Sequence, residues 1–471
     1  MVRRQQRQRS LWEVVLPDVE KLWPADLRRI DTLLEDEAVL EPIVTALEGR
    51  WAQSRRRGRR GTPADTVLRM LVLKHLYRWS YDTLEHEVRA NLVYRAFARI
   101  GTDAVPDAKT ILKIARVLGP DVIAQVHAQL VRVAVAQKVT RGRRLRVDTT
   151  VVETEVHYPT DSTLLRDATR VLTRTMQRVG GALGGAAARV RNRLRSVQRR
   201  VFAITRASRR EADRPQRVQH YRRLMATTRA VLRDADTTVR RIAQHLQTAT
   251  PAVQRLLQRA RRTLETMRPV ARRVLAQTAA RVLGGDTHVP DKVLSVFEPH
   301  TAAIRKGKIA KPTEFGNLVT IQEAEGQIIS AYAIHDGRPA DTSLWIPALD
   351  RHGTIFGRAP DLAVGDRGFS SAANEAAAHA RGVRRVVLPA SGRKTAARRD
   401  HERARWFRRG ARWRVGCEGR ISVLKRRHAL RRCAYRGRDG MHRWVGLGVI
   451  ADTLLTIAHA TAGRNVTAVT A

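Results

Sequence analysis

The chain has 471 residues, 43% of them apolar, enough to bury a sizeable core across two or three domains and too many for a disordered polymer. Its 89 Lys and Arg face 44 Asp and Glu, a formal net charge of +45 that opposes compaction by self-repulsion unless a polyanion lies nearby. Nucleic acid is the expected partner, held largely through phosphates and weakened steeply by salt.

Two cysteines, Cys417 and Cys433, exclude a four-thiolate zinc site and are expected as free thiols of a reducing cytoplasm. The basic start MVRRQQRQRS leads into LWEVVLPDVE, too short and too acidic for a signal peptide. The segment WVGLGVIADTLLTIAHA (444–460) is broken by Asp452 and His459 and falls short of the ~18 residues a membrane span needs, so it is expected as a core helix. A cytoplasmic, nucleoid-associated protein without a membrane partner is the expectation.

From residue 65 to 139 apolar residues recur every three or four positions, with Ser80 and the Pro-Asp pairs at 106 and 120 where helix starts belong. This predicts an all-helical domain over 1–139 that binds DNA. Around RWSYDTLEHEV either a helix-turn-helix reader or a helical pair with no ligand fits. RLRVDTTVVETEV (144–156) clusters β-branched residues and predicts a strand carrying Asp148.

Residues 161–286 return to helix and are rich in arginine. Val190, Leu194, Val197, Val201 and Ile204 step at coiled-coil spacing, as do Leu257, Ala260, Leu264, Met267, Ala271 and Val274. Breaks at 180–185, 208–215, 248–251 and 284–286 divide the segment into three or four helices, an insertion expected to pack within one chain and to present arginines to phosphates.

Next come a hairpin over 315–334 turning at Glu325-Gly326, a helix over 340–353, the strand DLAVGD ending in Asp366, a helix, and the strand RRVVLPA. Joined to the strand of Asp148, these predict one α/β domain, a mixed sheet flanked by helices over 140–160 and 287–463, with 464–471 as a tail.

RWRVGCEGRISVLKRRHALRR (412–432) holds eight Arg or Lys and a single acid, Glu418. Asp148, Asp366 and Glu418 can converge where strand ends meet helices. Two Mg²⁺ or Mn²⁺ ions clamped by such carboxylates suit in-line phosphoryl transfer. On a helix, Arg414 and Lys425 share the face of Glu418; Arg420, Arg426, Arg427 and Arg431 are the further cations expected on DNA. Each acid also has a plainer reading: Asp148 as a turn cap, Asp366 as a helix start, Glu418 as a solvated Arg–Glu pair, and Glu153, Glu155 or Asp161 as the first-strand ligand in place of Asp148.

At these residues the chain resembles the DDE transposases of bacterial insertion sequences. RVDTTVVET around Asp148 is similar to their first motif, and VGDRGF around Asp366, with Arg367, Gly368 and Phe369, to their second. Their signature Tyr-x2-Arg-x3-Glu-x6-Lys is met by Arg414, Glu418 and Lys425, whereas Ala411 stands at the Tyr position, with Trp413 and Trp406 the nearest aromatic candidates for its place. Residues 64–118 are similar to the amino-terminal domain of these proteins, so the resemblance spans roughly 40–158 and 290–460. DTTVVETEVHYPTDSTLL resembles a poorly classified group with a long segment after the first acid.

The resemblance implies an RNase H-like catalytic core and a two-metal transposase, working as a homodimer or larger synaptic complex. Its substrates would be the inverted repeats at the transposon ends and target DNA. A DNA-binding repressor without catalysis, or a structure-selective nuclease of the same fold, would share part of the pattern.

Overall fold

The computed structural model describes residues 2–5, 19–50, 53, 61–184, 190–207, 211–305 and 312–469. Most of the basic start, and parts of the breaks expected at 180–185 and 208–215, lie outside these residues. The chain forms two compact units, 1–155 with 304–471, and 156–303.

Among the described residues the first unit begins with seven α-helices: α1 (Ala25–Leu34), α2 (Glu37–Glu48), α3 (Ala64–Leu76), α4 (Tyr81–Ala90), α5 (Leu92–Phe97), α6 (Ala108–Val117) and α7 (Pro120–Ala136). Local chemistry sets their starts. The Ser80 and Asp107 side chains accept from the Thr83 and Thr110 amides at 2.9 Å, and Pro120 occupies the first turn of α7, where no amide partner is needed. Strand β1 (Arg144–Thr154) follows.

The second unit contributes α8 (Asp161–Leu183), α9 (Leu194–Arg206), α10 (Arg214–His245) and α11 (Pro251–Val282). Leu172, Val197, Leu224, Leu232, Leu264 and Val274 meet in its own apolar core. Val197, Val201 and Ile204 of one heptad stripe are buried, as is the whole stripe from Leu257 to Val274, so both face inward within the chain.

The chain then forms β2 (Ala302–Ile304), β3 (Glu314–Ala324), β4 (Ile329–His335), α12 (Asp341–Phe356), β5 (Leu362–Val364), α13 (Ala372–Ala380) and β6 (Arg385–Val387). Last come α14 (Ala396–Arg403), α15 (Arg405–Arg427), β7 (Arg432–Cys433) and α16 (Arg438–Val469). The described strands make one seven-stranded mixed sheet in the order β2-β3-β1-β5-β6, with β4 beside β3 and β7 beside β1. β1 runs antiparallel to β3 and parallel to β5, and β5 is parallel to β6.

α16 is long and apolar enough to cross a membrane, yet its composition is that of a core helix: Leu447, Ile450, Leu454 and Ile457 pack into one cluster with Ile30, Ile43, Leu71 and Leu130 of the amino-terminal helices. The boundary expected near residue 139 therefore falls inside a shared core. Met441, Val445 and Val449 of α16 pack instead on Val152, Val319 and Ile329 of the sheet.

Candidate active site

Successive strand residues point to opposite faces, so Arg144, Arg146 and Asp148 share one face of β1 and Thr149 lies on the other. α15 covers the first of these faces. Arg146 donates to the Trp413 carbonyl at 2.6 Å and its guanidinium lies 4.9 Å from the Trp413 ring; Arg414, one residue on, reaches Asp148 Oδ2 at 3.8 Å.

α15 runs unbroken through Gly410, Gly416 and Gly419. Two of these glycines are where the helix comes closest to the sheet: a Cβ on Gly416 would sit 2.2 Å from Arg146 Nη1, and one on Gly410 2.7 Å from Val387. Close approach outweighs the helix propensity lost at each glycine, about 1 kcal/mol.

Arg414 is also bonded to Glu418, Nη2 to Oε1 at 2.8 Å. One guanidinium thus stands between Asp148, which is 8% exposed, and Glu418, on the open side of the helix. β5 ends at Val364, paired with Arg146 of β1, and Asp366 follows two residues beyond this last pair, as Asp148 does on β1. Asp366 caps the turn that follows, accepting from the Gly368 amide at 2.8 Å.

A fourth carboxylate, Asp341, lies near Gly368. It starts α12 on the opposite face of the sheet, accepts from the Thr149 hydroxyl at 3.3 Å, and comes close to Gly368, as Asp366 does. A Cβ on Gly368 would meet Asp341 Oδ2 at 2.7 Å and Asp366 Oδ1 at 3.1 Å, so a larger residue there would displace the two carboxylates. In the sequence, Asp341 carries no sign beyond a helix start, ADTSLW.

The acids therefore gather as two pairs, Asp148 with Glu418 around Arg414, and Asp366 with Asp341 around Gly368. Among the described residues no three His, Cys, Asp or Glu side chains are close enough to hold a metal together. The donors are nevertheless hard carboxylate oxygens, and a cation, Arg414, already sits between two of them. Residues present and ion type fit each other.

Of the other first-strand acids, Glu153 is buried and faces Arg432 at 3.6 Å. Asp161 belongs to the second unit, where it pairs with Arg281 and is hydrogen bonded by Gln277.

The basic residues divide. Arg426, Arg427 and Arg431 are exposed, and Lys425 and Arg414 are half-buried. Arg420 corrects the expectation that it contacts DNA: it is 9% exposed, donates to Asp452 at 2.9 and 3.1 Å, and is hydrogen bonded to Gln327. It faces inward because the carboxylate of Asp452, projecting from apolar α16, has to be matched by a buried cation. Beside it Arg146 and Glu323 form a second buried pair, 2.8 Å from Nε to Oε2. Burial pushes the Glu323 carboxyl up, and Arg146 pulls it back. Burial likewise raises the Cys417 thiol well above its usual range, so it stays protonated. Ala411 and Trp413 border the apolar cluster of Val364, Val387 and Phe407.

On α4, the helix of the possible reader, Asp82, Glu85 and Glu87 oppose Arg89, and Glu85 is engaged in capping the Ala108 amide at 2.7 Å. That charge balance does not suit a helix lying against phosphates.

Residues 17–116 match the family described as Transposase domain (DUF772), and residues 375–455 match the Transposase DDE domain. These two stretches of the chain are thus similar to transposase families. The second match takes in the whole of α15, and with it Arg414, Glu418 and Lys425; Asp148 and Asp366 lie before it. No curated protein and no solved structure matches the chain.

Proposed function

We propose that this chain is a DDE transposase that binds the terminal inverted repeats of its insertion sequence, cleaves DNA strands there, and joins the freed 3′-hydroxyls to target DNA. Asp148, Asp366 and Glu418 are its catalytic carboxylates. The observation that carries the reading is Arg414, which links the first-strand acid to the helix acid; in its support, Asp366 follows two residues after the last pair of β5 with β1. The parallel β1-β5-β6 set beside antiparallel β3 and β4, with α12 and α15 on opposite faces, supports an RNase H-like core.

Asp148, Asp366 and Glu418, with Asp341 adjoining, would hold Mg²⁺ or Mn²⁺. The chemistry a pair of such ions supplies when bound is activation of water or a 3′-hydroxyl and stabilisation of the leaving oxygen in an in-line displacement. Arg414 adds positive charge beside the scissile phosphate, and Lys425, Arg426, Arg427 and Arg431 hold neighbouring phosphates. Thr149 orients Asp341, and the Gly368 amide fixes Asp366. A homodimer or larger synaptic complex is the working assembly, since two transposon ends must be brought together.

Purified protein is expected to nick end-containing DNA only with Mg²⁺ or Mn²⁺, and Asp366→Ala to lower the rate on the order of 10³-fold or more while leaving DNA binding intact. Nicking that persists in chelator and in the variant would refute the assignment. Binding by the wild-type chain without strand chemistry in either metal would favour the repressor, the alternative that Ala411 at the signature Tyr position keeps open.

A further inference from the structure

At the start of the parallel strands a groove of about 970 Å³ opens between β1, β5, β6 and α15. Arg143 and Arg144 line it from the start of β1 and the residue before it, Arg384 and Arg385 likewise at β6, and Arg405 and Arg409 from α15. All six are exposed, and none forms a salt bridge with a described residue. The one acid in the lining, Asp361, is paired with Arg358 at 3.0 Å. Glu325 stands behind the groove, accepting from the Arg143 and Arg144 amides at 3.1 and 2.9 Å, so six exposed guanidiniums outnumber the carboxylates near them and repel one another, a cost that a polyanion in the groove lowers.

Two half-buried indoles complete the wall. Arg385 lies 5.9 Å from the Trp406 ring, and Arg144 6.0 Å from the Trp413 ring. Cations alone would serve a duplex backbone; cations with aromatic rings between them are the pattern of a surface that follows one strand and stacks its bases. The groove also leads to the acids. Arg409 and Glu418 are nine residues apart on α15, about 13 Å along its axis, and Arg144 shares the face of β1 with Asp148.

We propose that this groove binds an unpaired DNA strand extending from the cleavage site, with the arginines on its phosphates and Trp406 stacked on a base. The inference rests on the reading of the chain as a DNA transposase and adds a path for one strand that no catalytic residue supplies.

The test uses the full chain, a labelled 15-nucleotide oligo-dT and a 15-base-pair duplex of unrelated sequence. Arg143→Glu/Arg384→Glu/Arg409→Glu changes only exposed side chains; its fold is checked by circular dichroism and melting. Oligo-dT affinity is expected to fall at least about tenfold at 0.1 M salt. The slope of log K against log salt should become shallower by about 2, because three phosphate contacts are lost. Trp406→Leu is expected to weaken oligo-dT about tenfold and to remove part of the fluorescence quenching that the oligonucleotide causes. Unchanged affinity and slope in the charge-reversed variant would overturn the proposal, and so would an equal loss for the duplex, which would make the groove a double-strand site. Metal-dependent nicking by the wild-type chain, measured on the same preparation, reports on the transposase reading separately.

Discussion

Arg420 and Arg426 are six residues apart on one basic helix, yet they do opposite things. Arg420 neutralises Asp452 where both are almost fully buried, whereas Arg426 points to water. Removing one partner of a buried pair leaves an unmatched charge, so Arg420→Ala is expected to cost about 3–5 kcal/mol in urea unfolding. Arg426→Ala should stay within about 0.5 kcal/mol and show itself in DNA binding instead. Equal stability of the two variants would mean that the Arg420 pair lies open to solvent. Nothing in RWRVGCEGRISVLKRRHALRR separates these arginines, because the residue that decides between them is 32 positions away from Arg420.

At the scale of elements, the helices and strands around the site follow patterns that are local. Caps at Ser80 and Asp107, β-branched alternation in β1 and the Glu325-Gly326 turn can all be read along the chain. How elements dock is another matter, and α7 on β4 is an example. His127 of α7 is 4% exposed, with Nε2 2.9 Å from the Ile329 carbonyl, and burial lowers its pKa from 6.5 to about 4. The folded chain keeps this ring neutral while the unfolded chain takes up a proton below pH 6.5. Its stabilising contribution is therefore complete above pH 6.5, declines as pH falls toward 4, and is level below that, a span of about 3 kcal/mol. Urea midpoints at pH 7, 5.5 and 4.5 should drop more steeply for the wild type than for His127→Gln, which can still donate to the carbonyl. Parallel curves would show that His127 titrates alike in both states.

Over the whole molecule, the division into two units is a matter of which apolar stripes find partners. The helices of 156–303 close a core among themselves, and its polar residues also pair internally: Asp236 with Arg268 and Arg272 at 2.8 Å, and Arg193 with Asp234 at 2.6 Å. A fragment spanning 156–303 is expected to be helical by circular dichroism and to melt in one cooperative transition. A broad, non-cooperative melt would mean that its core depends on the rest of the chain.

Sequence by itself determined the excess of positive charge, the helical and strand segments, the interruption after β1 and the family-like spacing of Arg414, Glu418 and Lys425. These depend on composition and on periodicities of two and 3.6 residues, which are properties of neighbours in the chain. Only the tertiary structure decided that the amino-terminal helices share a core with α16, that Arg420 turns inward, that Asp341 joins Asp366 at Gly368, and that six arginines at three elements line one groove. Each of these turns on charges or apolar surfaces far apart in sequence, and burial, which sets whether a charge must be matched or can be left to solvent, exists only once the chain has folded.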